Sequence, residues 1–147
     1  MAAILSRYPA DRKRAAMLPA LRLVQEMKGY LTPETLALVA ERLGVAPAAA
    51  GEVATFYTML RVTPVGRYVI DLCTNVSCSL CGGERLLRHL ERRLGVPVGG
   101  TTPDGKFTLR EVECLASCGT APVLQLNEEY HERLTPETVD ALLDSLP

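Results

Sequence analysis

Four of the chain's five cysteines fall into two short loops. The first reads Cys73-Thr-Asn-Val-Ser-Cys78 and the second Cys114-Leu-Ala-Ser-Cys118, giving C-x4-C and C-x3-C with thirty-five residues between them. Four thiolates on two loops make a soft site with tetrahedral capacity, which suits zinc or an iron–sulfur cluster. Cys81 makes the pattern ambiguous. Cys73, Cys78, Cys81 and Cys114 spell the plant-type C-x4-C-x2-C…C run of [2Fe–2S] proteins. Cys78-Ser-Leu-Cys81 spells a C-x-x-C dithiol at a helix start. The plant-type set leaves Cys118 unused beside Cys114, and the dithiol leaves Cys73, Cys114 and Cys118 unused. The set Cys73, Cys78, Cys114 and Cys118 leaves out only Cys81. That thiol is expected near the first turn of the following helix, buried as a small apolar side chain.

Both loop spacings also fit zinc knuckles, in which the metal acts as a staple. An iron–sulfur cluster accounts for more of the sequence. Small and hydroxyl-bearing residues (Thr74, Ser77, Ser79, Ala116, Ser117, Gly119) let backbone N–H groups reach sulfur. A helix beginning just after Cys78 would turn its positive end towards an anionic cluster. His89 is expected on the polar side of a helix and His131 in a hairpin, both as surface histidines and neither as a ligand. Glu111, Glu113, Glu128 and Glu129 are expected to form a solvated face rather than an acid/base pair.

The loops need elements to hold them. Residues 67–72 alternate, with Tyr68, Ile70 and Leu72 on one face, and this strand runs into Cys73. Residues 82–94 form an amphipathic helix with Leu86, Leu87, Leu90 and Leu94 inward. Thr102-Pro-Asp-Gly105 is a turn. It leads into a strand over 107–112 that ends near Cys114. Strands over 123–127 and 130–134 flank a turn at Asn127. Thr135-Pro136-Glu137 starts a closing helix. This β-α-β-β-β-α order implies a parallel crossover followed by a hairpin and looks like the thioredoxin fold. Pro122 opens the third strand, where such folds carry a cis bond, but sequence alone does not fix its isomer.

Residues 1–15 are polar and basic, and helices are expected over 17–28, 33–43 and 47–59. Met17, Leu21, Val24 and Met27 share a face of the first. Leu36, Val39, Ala40 and Leu43 share a face of the second, and Ala50, Val53, Ala54 and Tyr57 of the third. Phe56 and Tyr57 are expected in core or interface packing. The fold class is therefore α/β, with a helical segment over 1–64 and a cysteine-bearing domain over 65–147. The short helices bury little by themselves, so the segment is expected to face a partner.

The 147 residues are 48% hydrophobic and 22% charged, with a net charge of −1. This excludes a broadly basic nucleic-acid surface. An odd cysteine count in a chain with no secretory signal argues against a disulfide framework. The N-terminal apolar stretch is too short for a signal peptide and no run is long enough to span a membrane, so a cytoplasmic location is expected. No Gly-rich nucleotide-binding motif is present.

On these motifs the chain resembles the thioredoxin-like [2Fe–2S] ferredoxin subunit of the NADH dehydrogenase module of NADH:quinone oxidoreductase, respiratory complex I. The resemblance rests on Val53-Ala-Thr-Phe56-Tyr57, the Cys73–Cys78 loop, Thr102-Pro-Asp-Gly-Lys-Phe107, and Glu113-Cys114-Leu-Ala-Ser-Cys118 followed by Ala121-Pro122-Val123. It implies one [2Fe–2S] cluster on Cys73, Cys78, Cys114 and Cys118. It also implies a partner subunit that carries FMN and the NADH site, with this chain accepting single electrons from the flavin and having no substrate site of its own. The complex would place the chain peripheral to the inner membrane. Similar chains serve NAD-linked formate dehydrogenases and NAD(P)-linked hydrogenases. A zinc-stapled interaction module and a dithiol oxidoreductase are the readings from other classes. Two departures stand out: Cys81 is extra, and Ala116 stands where the family often has Gly. A positive φ there would strain Ala by about 1 kcal/mol.

Overall fold

The computed structural model describes residues 1–147 throughout. The chain forms two compact units, Met1–Pro64 and Val65–Pro147.

The first unit is helical: α1 (Ala2–Leu5), a 3-10 stretch (Ala10–Ala16), α2 (Met17–Lys28), α3 (Pro33–Leu43) and α4 (Pro47–Phe56). Pro19 lies in the first turn of α2, where its missing N–H costs no helical bond. Thr32 caps α3 by accepting from the Thr35 amide, and Gly44 ends it in the left-handed region. Met17, Leu21, Leu31, Val39, Leu43, Ala50 and Ala54 form one core. Met1, Ile4, Leu5 and Tyr8 pack against it, so the N-terminal stretch is ordered where its sequence reads as polar and basic.

Two face assignments are corrected. Met27 is 72% exposed, because the last turn of α2 runs past the core its first turns cover. Helix α4 stops at Phe56 rather than near Met59, and Tyr57 leaves helical geometry as its C-cap. Phe56 is 77% exposed and Tyr57 is exposed with it, so neither is core.

The second unit contains β1 (Tyr68–Cys73), α5 (Val76–Leu80), α6 (Gly83–Leu94), β2 (Phe107–Val112), a 3-10 turn (Cys118–Thr120), β3 (Leu124–Leu126), β4 (Glu129–His131) and α7 (Pro136–Ser145). The sheet order is β2-β1-β3-β4. β1 and β2 are parallel, in register from Tyr68↔Phe107 to Cys73↔Val112. β3 is antiparallel to β1 and to β4. This is the crossover-then-hairpin topology that the strand order implies, and it is the thioredoxin-like fold. The Ala121–Pro122 bond is cis.

Ile70 and Leu72 of β1, Leu109 of β2, Leu124 of β3, Leu86 and Leu90 of α6, and Val139 and Leu143 of α7 share one core. Helices α6 and α7 therefore cover the same face of the sheet. His89 Nε2 lies 2.9 Å from Asp140 Oδ1, and Arg93 reaches Asp144 at 2.6 Å, joining the two helices. His89 is thus a half-buried tie rather than a surface histidine. His131 also departs from expectation: its Nε2 is buried without a hydrogen-bond partner. On β1, Val69 is fully buried as well, and Asp71 meets its register partner Arg110 through Nε–Oδ1 at 2.6 Å and Nη2–Oδ2 at 3.2 Å.

Candidate metal centre

Parallel pairing with Cys73 opposite Val112 brings the ends of β1 and β2 to the same edge of the sheet. Both cysteine loops leave from there, because Cys114 follows β2 by only two residues. Cys73 is the last residue of β1 and is buried, with its amide bonded to the Val123 carbonyl. After it the chain turns at Asn75, whose side chain accepts from the Val76 amide, and winds through α5. Cys78 lies in α5 and is buried at 2% exposure. Cys73, Cys78, Leu115 and Val123 form a small cluster of their own, so two thiols sit on an apolar floor.

Glycine at 83 permits this arrangement. A Cβ there would stand 2.8 Å from the Cys78 carbonyl oxygen and 3.1 Å from that of Cys73. The first residue of α6 therefore lies directly against the backbone of the first loop.

The second loop is more open. Cys114 and Cys118 are both exposed, while Leu115 between them points inward. Ala116 has φ +57° and its amide donates to Cys114 Sγ at 3.3 Å. Cys118 begins the 3-10 turn that leads to Pro122 and β3.

Burial first, and then the neighbouring Cys73 side chain, push the Cys78 thiol up to about 11, while the Val123 backbone amide acts in the opposite direction. Charge on Cys73 and on Cys118 also bears on it, so thiols of both loops feel one another. All five cysteines are free thiols. Cys81 is corrected: it caps the C-terminus of α5 and is exposed, because the short helix turns it outward instead of into the core. Cys78 itself lies inside α5, and the next helix, α6, begins at Gly83 against the backbone of that loop.

Glu111 and Glu132 bind the loops from outside. Thr74 Oγ1 donates to Glu111 Oε1 at 2.6 Å. Ser117 and Thr120 both donate to Glu132 Oε1. Sequence reading misses Gly83 and Glu132, which show as neither ligand types nor motif positions. A glycine pair beside a cysteine loop is the one available signal for the first.

A two-iron cluster divides four thiolates between two metal atoms. The donor set fits it: four thiols outside any disulfide from two loops, an apolar floor, and amide donors at Cys114 and Cys78.

Fold and site together define a small α/β protein of thioredoxin-like topology, with four cysteines on two loops at one end of a mixed sheet. The model of the thioredoxin-like [2Fe-2S] ferredoxin family matches residues 1–147. A curated NADH-quinone oxidoreductase subunit of Rhizobium meliloti is 50% identical over 143 residues, covering 97% of this chain and 84% of that one. NADH-quinone oxidoreductase subunit 2 of Thermus thermophilus is 42% identical over 142 residues, covering 96% and 78%. A chain of an NAD+-reducing [NiFe]-hydrogenase in the H2-reduced state superposes with a TM-score of 0.75 at 25% identity, covering 89% of this chain but only 23% of that one. The chain belongs to the thioredoxin-like [2Fe–2S] ferredoxin family. The cofactor of that family is one [2Fe–2S] cluster.

Proposed function

We propose that this chain is the [2Fe–2S] electron-transfer subunit of an NADH-quinone oxidoreductase, with Cys73, Cys78, Cys114 and Cys118 as the cluster ligands. The observation that carries the reading is the pair of two-thiol loops at one sheet edge, in a chain matched along nearly its whole length by subunits of NADH-quinone oxidoreductases. A [2Fe–2S] cluster bound there supplies a one-electron acceptor. Cys73 and Cys78, which are buried, and Cys114 and Cys118, which are exposed, would hold it. The Ala116 amide donates to Cys114 Sγ and the Val123 backbone bonds to the Cys78 sulfur, the kind of contact that tunes an iron–sulfur centre.

The partner on this reading is the subunit that binds NADH and FMN, with the flavin delivering single electrons. The helical unit faces that assembly, consistent with exposed Phe56, Met59 and Val62 at the end of α4 and beyond it. No helix is long and apolar enough to cross a membrane, so attachment to the inner membrane from the cytoplasmic side runs through the complex. The likeness to the hydrogenase chain favours one second reading, the same role in an NAD(P)-linked hydrogenase; a formate dehydrogenase subunit would share its chemistry.

Iron, zinc and acid-labile sulfide analysis of anaerobically purified protein tests the cofactor. Iron and sulfide in equal amounts, with an EPR signal that appears on reduction, is the expected result. Zinc alone, with no reducible signal after reconstitution with iron and sulfide, would leave a zinc-stapled interaction module instead. Copurification with an NADH dehydrogenase or with a hydrogenase separates the two parent complexes.

A further inference from the structure

Glu132 lies outside both cysteine loops, just after β4, yet it is the acceptor on which the second loop closes. Its Oε1 receives the hydroxyl of Ser117, the residue before Cys118, and the hydroxyl of Thr120, two residues after it. The two hydroxyl oxygens are 2.8 Å apart, and Thr120 Oγ1 is 3.1 Å from the Ser117 carbonyl. The backbone reinforces the contact: the Arg133 amide donates to the Thr120 carbonyl at 2.8 Å and the Leu134 amide to the Pro122 carbonyl at 3.1 Å. Arg133 takes φ +51°, and this turn delivers Glu132 to the loop.

This lock matters because Cys118 has little else to hold it. It is exposed, and it starts a three-residue 3-10 turn without a side-chain cap. Cys78, by contrast, is fixed by burial and by its helix. We infer that Glu132 is a positioning residue for the iron–sulfur centre: through Ser117 and Thr120 it fixes the Cys118 side of the site. The inference rests on the ligand reading above and adds a residue to it. Hydrogen-bonded residues behind metal ligands typically contribute about tenfold or more to metal retention. The carboxylate is held below the usual range by those same two hydroxyls, so it is present as the stronger, ionised acceptor.

The test uses the full chain with its cluster in place and follows cluster absorbance in excess iron chelator, together with the midpoint potential and EPR spectrum. Glu132→Ala is expected to lose its cluster roughly tenfold faster than wild type, with a moved potential and broadened signal. Glu132→Gln, whose amide oxygen still accepts both hydroxyls, is expected to stay close to wild type. The combined Ser117→Ala/Thr120→Val variant should reproduce Glu132→Ala, and adding Glu132→Ala to it should change nothing further. Glu129→Gln removes one charge from exposed β4 and should leave retention and potential unchanged. Wild-type retention and potential in Glu132→Ala would overturn the inference. So would an equal effect of Glu132→Ala in the background lacking both hydroxyls, or an equal shift in Glu129→Gln. A wild-type chain with no cluster signal would instead overturn the ligand reading itself.

Discussion

The amide of Ala116 donates to Cys114 Sγ at 3.3 Å from a backbone with φ +57°. That conformation crowds a Cβ against the following carbonyl, at a cost of about 1 kcal/mol or more for Ala, and Gly escapes it. Ala116→Gly should therefore keep the N–H···S bond and raise the stability of the metal-free chain. Part of the gain is offset by the greater freedom of Gly in the unfolded chain, leaving about 0.5–1 kcal/mol. A urea midpoint above wild type is the expected reading, and one below it would contradict the strain account.

Gly83 should tolerate no side chain. Adding a Cβ places it 2.8 Å from the Cys78 carbonyl oxygen, and backbone rather than a mobile side chain would have to move. Gly83→Ala is expected to cost about 1–3 kcal/mol and to impair cluster assembly. Gly95→Ala is the comparison, since nothing lies within 4 Å of a Cβ there and only its positive φ is strained. Equal cluster yields from the two variants would contradict the contact argument.

Asp71 and Arg110 hold the parallel strands in register two residues before the site. Their side chains are only 14% and 22% exposed. Asp71→Ala removes the two-point carboxylate contact of a largely buried guanidinium and should cost about 1–3 kcal/mol, measured by denaturant unfolding. Replacing both partners by apolar residues should recover much of that loss. A double variant as unstable as the single one would show that the pair contributes more than register.

The metal-free chain should weaken in alkali. The Cys78 thiol has its folded value raised to about 11, against an ordinary value of 9.0, chiefly by burial. The unfolded chain therefore loses this proton first as pH rises. The stabilising contribution is complete below about pH 9 and disappears as pH climbs through about 11. Thermal unfolding across that window should show a decline that Cys78→Ala lessens. An unchanged decline in the variant would assign the effect to other groups.

Strong local signals are legible in the sequence. Thr32-Pro33 and Thr135-Pro136 announce helix starts, and both threonines cap their helices. Alternation in residues 67–72 marks β1, and the run into Cys73 places a ligand candidate at the strand end. Differences arise where tertiary burial decides. A five-residue helix around Cys78 is too short for a periodic pattern, so Cys81 is expected inside and lies outside. Met27 satisfies the helical period but extends beyond the core. His89 and His131 look like surface residues because their partners and neighbours come from distant segments. Glu132 carries no motif, and its role follows only from the path of the chain after β4.

The central claim is the ligand set, and the most direct measurement is the EPR spectrum of dithionite-reduced protein for wild type, Cys81→Ser and Cys118→Ser, with iron and labile sulfide counted in each. The account predicts a [2Fe–2S] signal of wild-type form in Cys81→Ser, because that thiol is exposed at the end of α5 and outside the set. It predicts a lost or altered signal in Cys118→Ser. A wild-type spectrum from Cys118→Ser together with a lost one from Cys81→Ser would contradict it and assign the cluster to the plant-type spacing.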